Sequence, residues 1–246
     1  MGYWCTLHLF DDKKFYKEVV PQLKGETGDL TEACREFLKH YYLGGISHLS
    51  SEKINSLIEY NIEKIISISN GLDETFKIHH KFHKGTNNDH QNLFLASLEG
   101  HYEFSEFLEY YLFKTCADFF PYLILGKGGV SRNFNIPIKT LCYPIVQELD
   151  HWNDFLSNDR MGITNWITNE DVELLYLDKE NLHFEDNQRA EGFLNLLDVA
   201  YYNKLGFIVG VDMRDNQLKL LAENKLVHHA FWKEQHRQNL VFDSSI

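Results

Sequence analysis

Apolar residues recur every three or four positions along most of this 246-residue chain, and this period restricts the fold more than any other feature. A period near 3.6 places such residues on one face of an α-helix, and that face must be buried against other elements. The clearest run begins at Ser50 or Ser51 and ends at Gly71, a natural C-terminal stop; its apolar positions are Ile54, Leu57, Ile58, Ile62 and Ile65. We therefore predict a mainly helical protein.

Capping residues and helix-ending glycines place the other helices. Asp11 and Asp12 stand where an N-cap belongs, and Thr168 with Asp171 is typical of a helix start. A stripe of phenylalanines and tyrosines also gives one helix of the second hundred residues a face suited to the core. The predicted helices cover residues 12–25, 29–44, 101–119, 144–157, 168–177, 186–206 and 216–238.

Two segments are predicted as strands. Residues 3–10 alternate between two partly apolar faces, and residues 207–211 are short, apolar and β-branched. We expect them to pair in a small sheet, which makes the fold class mainly α with a minor β component in a multi-helix globular protein. The chain is read as a single mainly helical domain, 1–246, and a subdivision, if present, falls near 121–135, around Pro121 and the turn Gly126-Lys127-Gly128-Gly129.

Charge and composition exclude several classes of protein. The formal net charge is −12 without a run of Lys and Arg, so a nucleic-acid backbone is not the expected partner. The longest apolar run, 119–125, is far shorter than the roughly 20 residues of a membrane-spanning helix, so no membrane partner is expected. Four scattered cysteines, without C-x-x-C spacing or an export signal, are expected in the core of a cytoplasmic protein.

The glycine-rich turn at 126–129 is not a nucleotide site. A phosphate-binding loop ending at Lys127 requires glycine where Pro121 stands, and Ser or Thr where Gly128 stands. Pro137 interrupts the helix that such a turn should start. We predict a simple turn and no cofactor.

Histidines give the one suggestion of metal chemistry. His79 and His83 are four residues apart, which places both imidazoles on one face of a helix, and His90 or His101 supplies a further ligand. Against this, the segment has neither an H-E-x-x-H pattern nor a cysteine partner. A metal site at His79, His83 and His90 is therefore kept as an alternative to a solvated histidine cluster.

These observations lead to two functional hypotheses. The first is a non-enzymatic protein-binding or inhibitor protein of the toxin-neutralising type, which offers an acidic helical face to a protein partner with a basic surface. The alternative is a helical metal-dependent hydrolase or metal-binding protein that uses the region from His79 to His101. Acidic residues gathered on one face and mixed with exposed aromatics favour the first hypothesis, whereas an even spread of charge counts against it.

Overall fold

Six strands form the β component of the part of the chain that the structure describes. A computed structural model describes residues 5–41, 44–82, 101–126, 130–132, 162–184 and 190–243. The strands within these ranges are β1 (Cys5–Phe10), β2 (Ala117–Gly126), β3 (Val130–Arg132), β4 (Gly162–Ile167), β5 (Leu182–Phe184) and β6 (Gly206–Val211). A four-stranded antiparallel sheet has the order β2, β1, β6, β4, and β3 pairs separately with β5.

The predicted pairing of the N-terminal and late strands is confirmed. β1 and β6 run antiparallel over their whole length, from Cys5 opposite Val211 to Phe10 opposite Gly206. Both faces of β1 are buried, as its two partly apolar faces predict. These two strands are the centre of the sheet.

Helices surround the sheet, which confirms the mainly α fold class. A π-helical segment, Phe15–Val19, lies between the first two helices, and 3₁₀ turns cover Lys179–Asn181 and His229–Phe231. No helix in the described ranges combines the length and apolar character needed to cross a bilayer. The helices are α1 (Asp12–Lys14), α2 (Val20–Leu23), α3 (Thr31–His40), α4 (Ser51–Phe82), α5 (His101–Thr115), α6 (Asn169–Leu177), α7 (Ala190–Asn203), α8 (Asp215–Leu218) and α9 (Glu234–Arg237).

The sheet separates two hydrophobic cores. Because successive strand residues point to opposite faces, each strand contributes to both. One core packs sheet residues such as Phe10 and Trp166 against α3, α4 and α5. The other packs Leu7 and Phe207 against α6 and α7. The fold thus has three layers. Helices α3, α4 and α5 cover one face of the sheet, and α6 and α7 cover the other face.

The region predicted as a helix over 101–119 ends earlier than expected. α5 ends at Thr115, and β2 begins at Ala117 and pairs with β1. Pro121 fits within β2 because this strand is at the edge of the sheet, where a missing N–H is tolerated. Tyr122 on the outer side of β2 exchanges two backbone hydrogen bonds with Val241, of 3.1 and 2.8 Å.

Two further boundary predictions are wrong. Gly71 does not end its helix, since α4 continues to Phe82; a glycine inside a helix costs only about 1 kcal/mol relative to alanine. The helix predicted over 216–238 is replaced by α8, α9 and irregular chain. There, the buried Asp118 carboxylate accepts the backbone N–H groups of residues 224–226, and Lys225 has a φ of 53°, which a helix does not allow.

A buried polar cluster joins α3, α5, β4 and the chain after β6. Glu109 accepts hydrogen bonds from the Tyr41 hydroxyl and from the Ile163 N–H at 3.2 Å, and burial raises the pKa of its carboxyl. Glu106 forms an ion pair with the Arg214 guanidinium, although its Oε1 lacks conventional hydrogen-bond geometry. Arg214 also donates to the Tyr41 carbonyl at 3.2 Å. The polar groups of this cluster are thus used in contacts that join elements of the fold to one another.

Candidate protein-binding face

Helix α6 turns two leucines away from the core. Its start is fixed by Thr168, whose hydroxyl accepts the Asp171 N–H at 3.3 Å and donates to the Asp171 carboxylate at 2.9 Å, which confirms the predicted cap. Val172 and Leu175 are buried, whereas Leu174 and Leu177 are 54% and 69% exposed. Two acids, Glu170 and Glu173, are exposed beside these leucines.

Helix α7 presents a similar stripe. Its buried side packs Phe193, Leu196 and Leu197 into the second core. The opposite side carries Glu191, Leu194, Asp198 and Tyr202, whose spacing of three and four residues aligns them along the helix. We call the stripes of α6 and α7 together the acidic face: Glu170, Glu173, Leu174, Leu177, Glu191, Leu194, Asp198 and Tyr202.

Three tyrosines join the two stripes. The rings of Tyr176 and Tyr201 stack with centroids 3.8 Å apart and planes 7° from parallel. Tyr202 stands edge-on to both, at 5.9 Å from Tyr176 and 5.2 Å from Tyr201. The Tyr176 hydroxyl lies 3.3 Å from the Asp198 carboxylate and 3.4 Å from the Tyr202 hydroxyl. These contacts hold the acidic face in one arrangement.

Negative charge is concentrated in this part of the chain. Residues 169–184 and 190–203 contain seven Asp or Glu and one Lys or Arg, a formal charge of −6, which is half of the chain's −12. The same helices carry exposed apolar groups: Leu174, Leu177, Leu194 and Tyr202. Isolated surface apolar residues need no explanation, but apolar residues grouped with one sign of charge are typical of a binding surface.

The C-terminal segment borders the acidic face. His236 lies against Asp198, with 3.2 Å between its Nε2 and a carboxylate oxygen, and its Nδ1 is 3.1 Å from the Phe231 carbonyl. The Phe231 ring is 6.4 Å from that of Tyr202. This border leaves the Asp198 side chain 32% exposed, so the carboxylate is both held by the protein and open to solvent.

The predicted histidine site falls mostly outside the described residues. His79 belongs to α4, but its side chain, together with His83 and His90, lies outside the part of the chain that the structure describes. Among the described residues, no group of three or more His, Cys, Asp or Glu side chains is arranged to hold a metal ion. The metal site therefore stays a prediction. Three of the cysteines, Cys5, Cys34 and Cys116, are buried thiols as expected, and Cys142 lies outside the described ranges.

A cavity elsewhere in the fold is a weaker candidate for a binding site. A cavity of about 320 Å³ lies between α3, α5 and α8, and Glu36, His40, Tyr41 and Tyr110 are among its lining residues. Its charge is already neutralised, because Glu36 pairs with the Lys114 ammonium and accepts from the Tyr110 hydroxyl at 3.1 Å. The cavity consequently presents no concentrated charge to a ligand.

The sequence held a signal for the outward leucines of α6 beyond the predicted helix start. At 100° per residue, Leu174 and Leu177 point about 200° and 140° from Val172, whereas Leu175 lies within about 60° of it. One core therefore cannot bury all four side chains of α6. Comparisons of the chain with models of protein families, with curated proteins and with solved structures found no significant match, so a functional argument must start from these residues.

Proposed function

We propose that this chain is a protein-binding protein, of the inhibitor or toxin-neutralising type, whose acidic face engages a partner with a basic surface. The observation that carries the proposal is the outward orientation of Leu174 and Leu177 beside Glu170 and Glu173. Leucines at the centre of an interface supply buried apolar area, while surrounding carboxylates favour a positively charged partner and speed its approach.

Charge also selects among possible occupants of the face. A nucleic acid would meet the four carboxylates of the face and be repelled, because its binding depends on neutralising phosphates with Lys and Arg. A second copy of this chain, docked through the same face, would oppose two surfaces of equal negative charge. A basic protein is the occupant for which both the leucines and the carboxylates contribute favourably.

The test is capture of a partner that depends on the acidic face. Full-length protein carrying a photoactivated crosslinker at Glu173 is exposed to lysate of the native host, and captured proteins are identified and purified. The double variant L174S/L177S is expected to lose at least tenfold in affinity for the purified partner, because both leucines are then removed from the interface. Affinity of the unaltered protein should fall as salt is raised.

Leu220 gives a matched control, since it is 80% exposed and lies outside the acidic face. The variant L220S makes the same chemical change and should bind the partner as the unaltered protein does. Because all three leucines are exposed, each substitution should change the free energy of unfolding by less than about 0.5 kcal/mol. Capture of only acidic proteins, a partner retained by L174S/L177S, self-association through this face, or no face-dependent partner would each refute the proposal.

A further inference from the structure

The tyrosines and Asp198 of the acidic face form a site with the properties of a cation receptor. The Asp198 carboxylate lies 3.3 Å from the Tyr176 hydroxyl and 3.2 Å from His236, and the Tyr176 hydroxyl lies 3.4 Å from that of Tyr202. Tyr202, one helical turn after Asp198, is 59% exposed. An aromatic ring face next to a carboxylate attracts an organic cation through both its quadrupole and the formal charge.

A cation of the protein itself already uses this cluster. The Lys179 ammonium lies 4.5 Å from the centroid of the Tyr176 ring. The other face of that ring is covered by Tyr201 at 3.8 Å, so Tyr176 has no face left for a ligand. Tyr202, which meets Tyr176 and Tyr201 edge-on, is the ring whose exposure leaves it available.

The Tyr176 hydroxyl is held in its neutral form. The hydrogen bond with Tyr202, burial and the nearby Asp198 charge all raise the pKa of Tyr176. Asp198 therefore supplies the negative charge at this point of the face, and the hydroxyls contribute dipoles. Two side chains of the protein itself border the cluster: Lys179 lies over the Tyr176 ring, and His236 lies against Asp198.

We infer that this cluster, Tyr176, Tyr201, Tyr202 and Asp198, receives an arginine side chain of the partner. A guanidinium is planar, so it can stack on the exposed ring of Tyr202 while its N–H groups reach the Asp198 carboxylate. A lysine ammonium is a compact, strongly hydrated charge and satisfies only one of these contacts well. The inference rests on the proposed function, because it names the side chain by which the partner is anchored.

The site is tested without the partner by titrating the full-length protein, labelled with ¹³C in its tyrosine rings, with Nα-acetyl-arginine methylamide. We expect saturable shifts of the Tyr202 ring, because the guanidinium makes both an ion pair and a cation–π contact. The dissociation constant should be on the order of 10 mM, which corresponds to about 2.7 kcal/mol. The lysine analogue should bind at least threefold more weakly. The citrulline analogue, which has the same shape without the charge, should cause no saturable shift.

Two substitutions make the titration specific. D198N removes the charge and keeps the shape, and Y202L removes the ring at an exposed position; each should abolish saturation by the arginine probe. L220S should leave that binding unchanged, because Leu220 lies outside the acidic face. The inference is refuted if the Tyr202 ring does not respond, if D198N responds equally, or if the lysine or citrulline probe binds as well as arginine.

The two proposals fail in different ways. If the arginine probe does not bind but the captured partner still requires Leu174 and Leu177, the anchor is wrong and the proposed function stands. If the probe binds and no partner depends on the acidic face, the cation site stands and the proposed function is wrong. In a complex, replacing the anchoring arginine by lysine should weaken binding about tenfold, which corresponds to about 1.4 kcal/mol.

Discussion

Replacing Arg214 by methionine should destabilise the protein strongly because it leaves a buried carboxylate without its counter-ion. The Glu106 side chain is 8% exposed and that of Arg214 is 22% exposed, so solvent can replace little of the lost interaction. Removing one partner of a buried ion pair typically costs about 3–5 kcal/mol. The partial exposure of Arg214 favours the lower end, and we expect a loss of about 3 kcal/mol in the free energy of unfolding.

The double variant E106Q/R214M separates the lost counter-ion from the lost packing. With no charge left on Glu106, the penalty of the uncompensated carboxylate disappears, and about 2 kcal/mol of the loss should be recovered. The remaining deficit of about 1 kcal/mol corresponds to the hydrogen bond from Arg214 to the Tyr41 carbonyl.

Urea denaturation followed by tryptophan fluorescence and circular dichroism measures the unaltered protein, E106Q, R214M and E106Q/R214M. A loss of about 3 kcal/mol should also lower the melting temperature by roughly 6–12 °C in a chain of this size. Equal stabilities of R214M and E106Q/R214M, or a loss below about 0.5 kcal/mol in R214M, would show that Glu106 is not a desolvated charge.

Three further predictions concern single residues. Burial raises the pKa of Asp12 from 3.8 to about 6, so ionisation of Asp12 should lower the free energy of unfolding as pH rises from about 4 to about 6. D12N should lack this part of the pH dependence and should be about 2 kcal/mol more stable than the unaltered protein at pH 8 by urea denaturation. D118A removes three hydrogen bonds to the backbone of residues 224–226 and should lower the free energy of unfolding by about 3 kcal/mol. Amide hydrogen exchange in that segment should become faster, and unchanged exchange would show that Asp118 does not hold the segment in place. A Cβ at Gly206 would stand 2.1 Å from the Ile167 carbonyl oxygen, so G206A should destabilise by about 3 kcal/mol in the same assay, and a neutral result would place β4 and β6 farther apart.

The sequence predicted elements whose signal is local. The β1 pattern and the apolar run of β6 each span a few residues, and the Thr168 cap is read from three neighbouring positions. The paired strands and the start of α6 were therefore correctly predicted. β2 was missed because its apolar residues continue the pattern of α5 without a glycine, and its pairing with β1 is a long-range contact.

The wrong helix over 216–238 and the failure to identify the acidic face have a common physical cause. The chain after β6 is shaped by Asp118, more than a hundred residues earlier, and no local pattern reports such a clamp. The concentration of acids near α6 and α7 was visible as net charge, but their grouping with exposed leucines depends on which side of each helix meets the sheet. Burial is decided by tertiary packing, so a helical stripe indicates a core face only when one face accounts for all its apolar residues.

The backbone pairing of Tyr122 with Val241 has a consequence for the solution behaviour of the protein. Edge strand β2 contains Phe119, Leu123 and Leu125, a composition that promotes intermolecular strand addition when an edge is open. The segment around Val241 pairs with the outer N–H and carbonyl of Tyr122 and so blocks such addition at this point of the edge. If the segment around Val241 were detached from β2, the first effect should be fibrillar aggregation. The melting temperature should change less, because the two hydrogen bonds contribute little to the stability of the monomer.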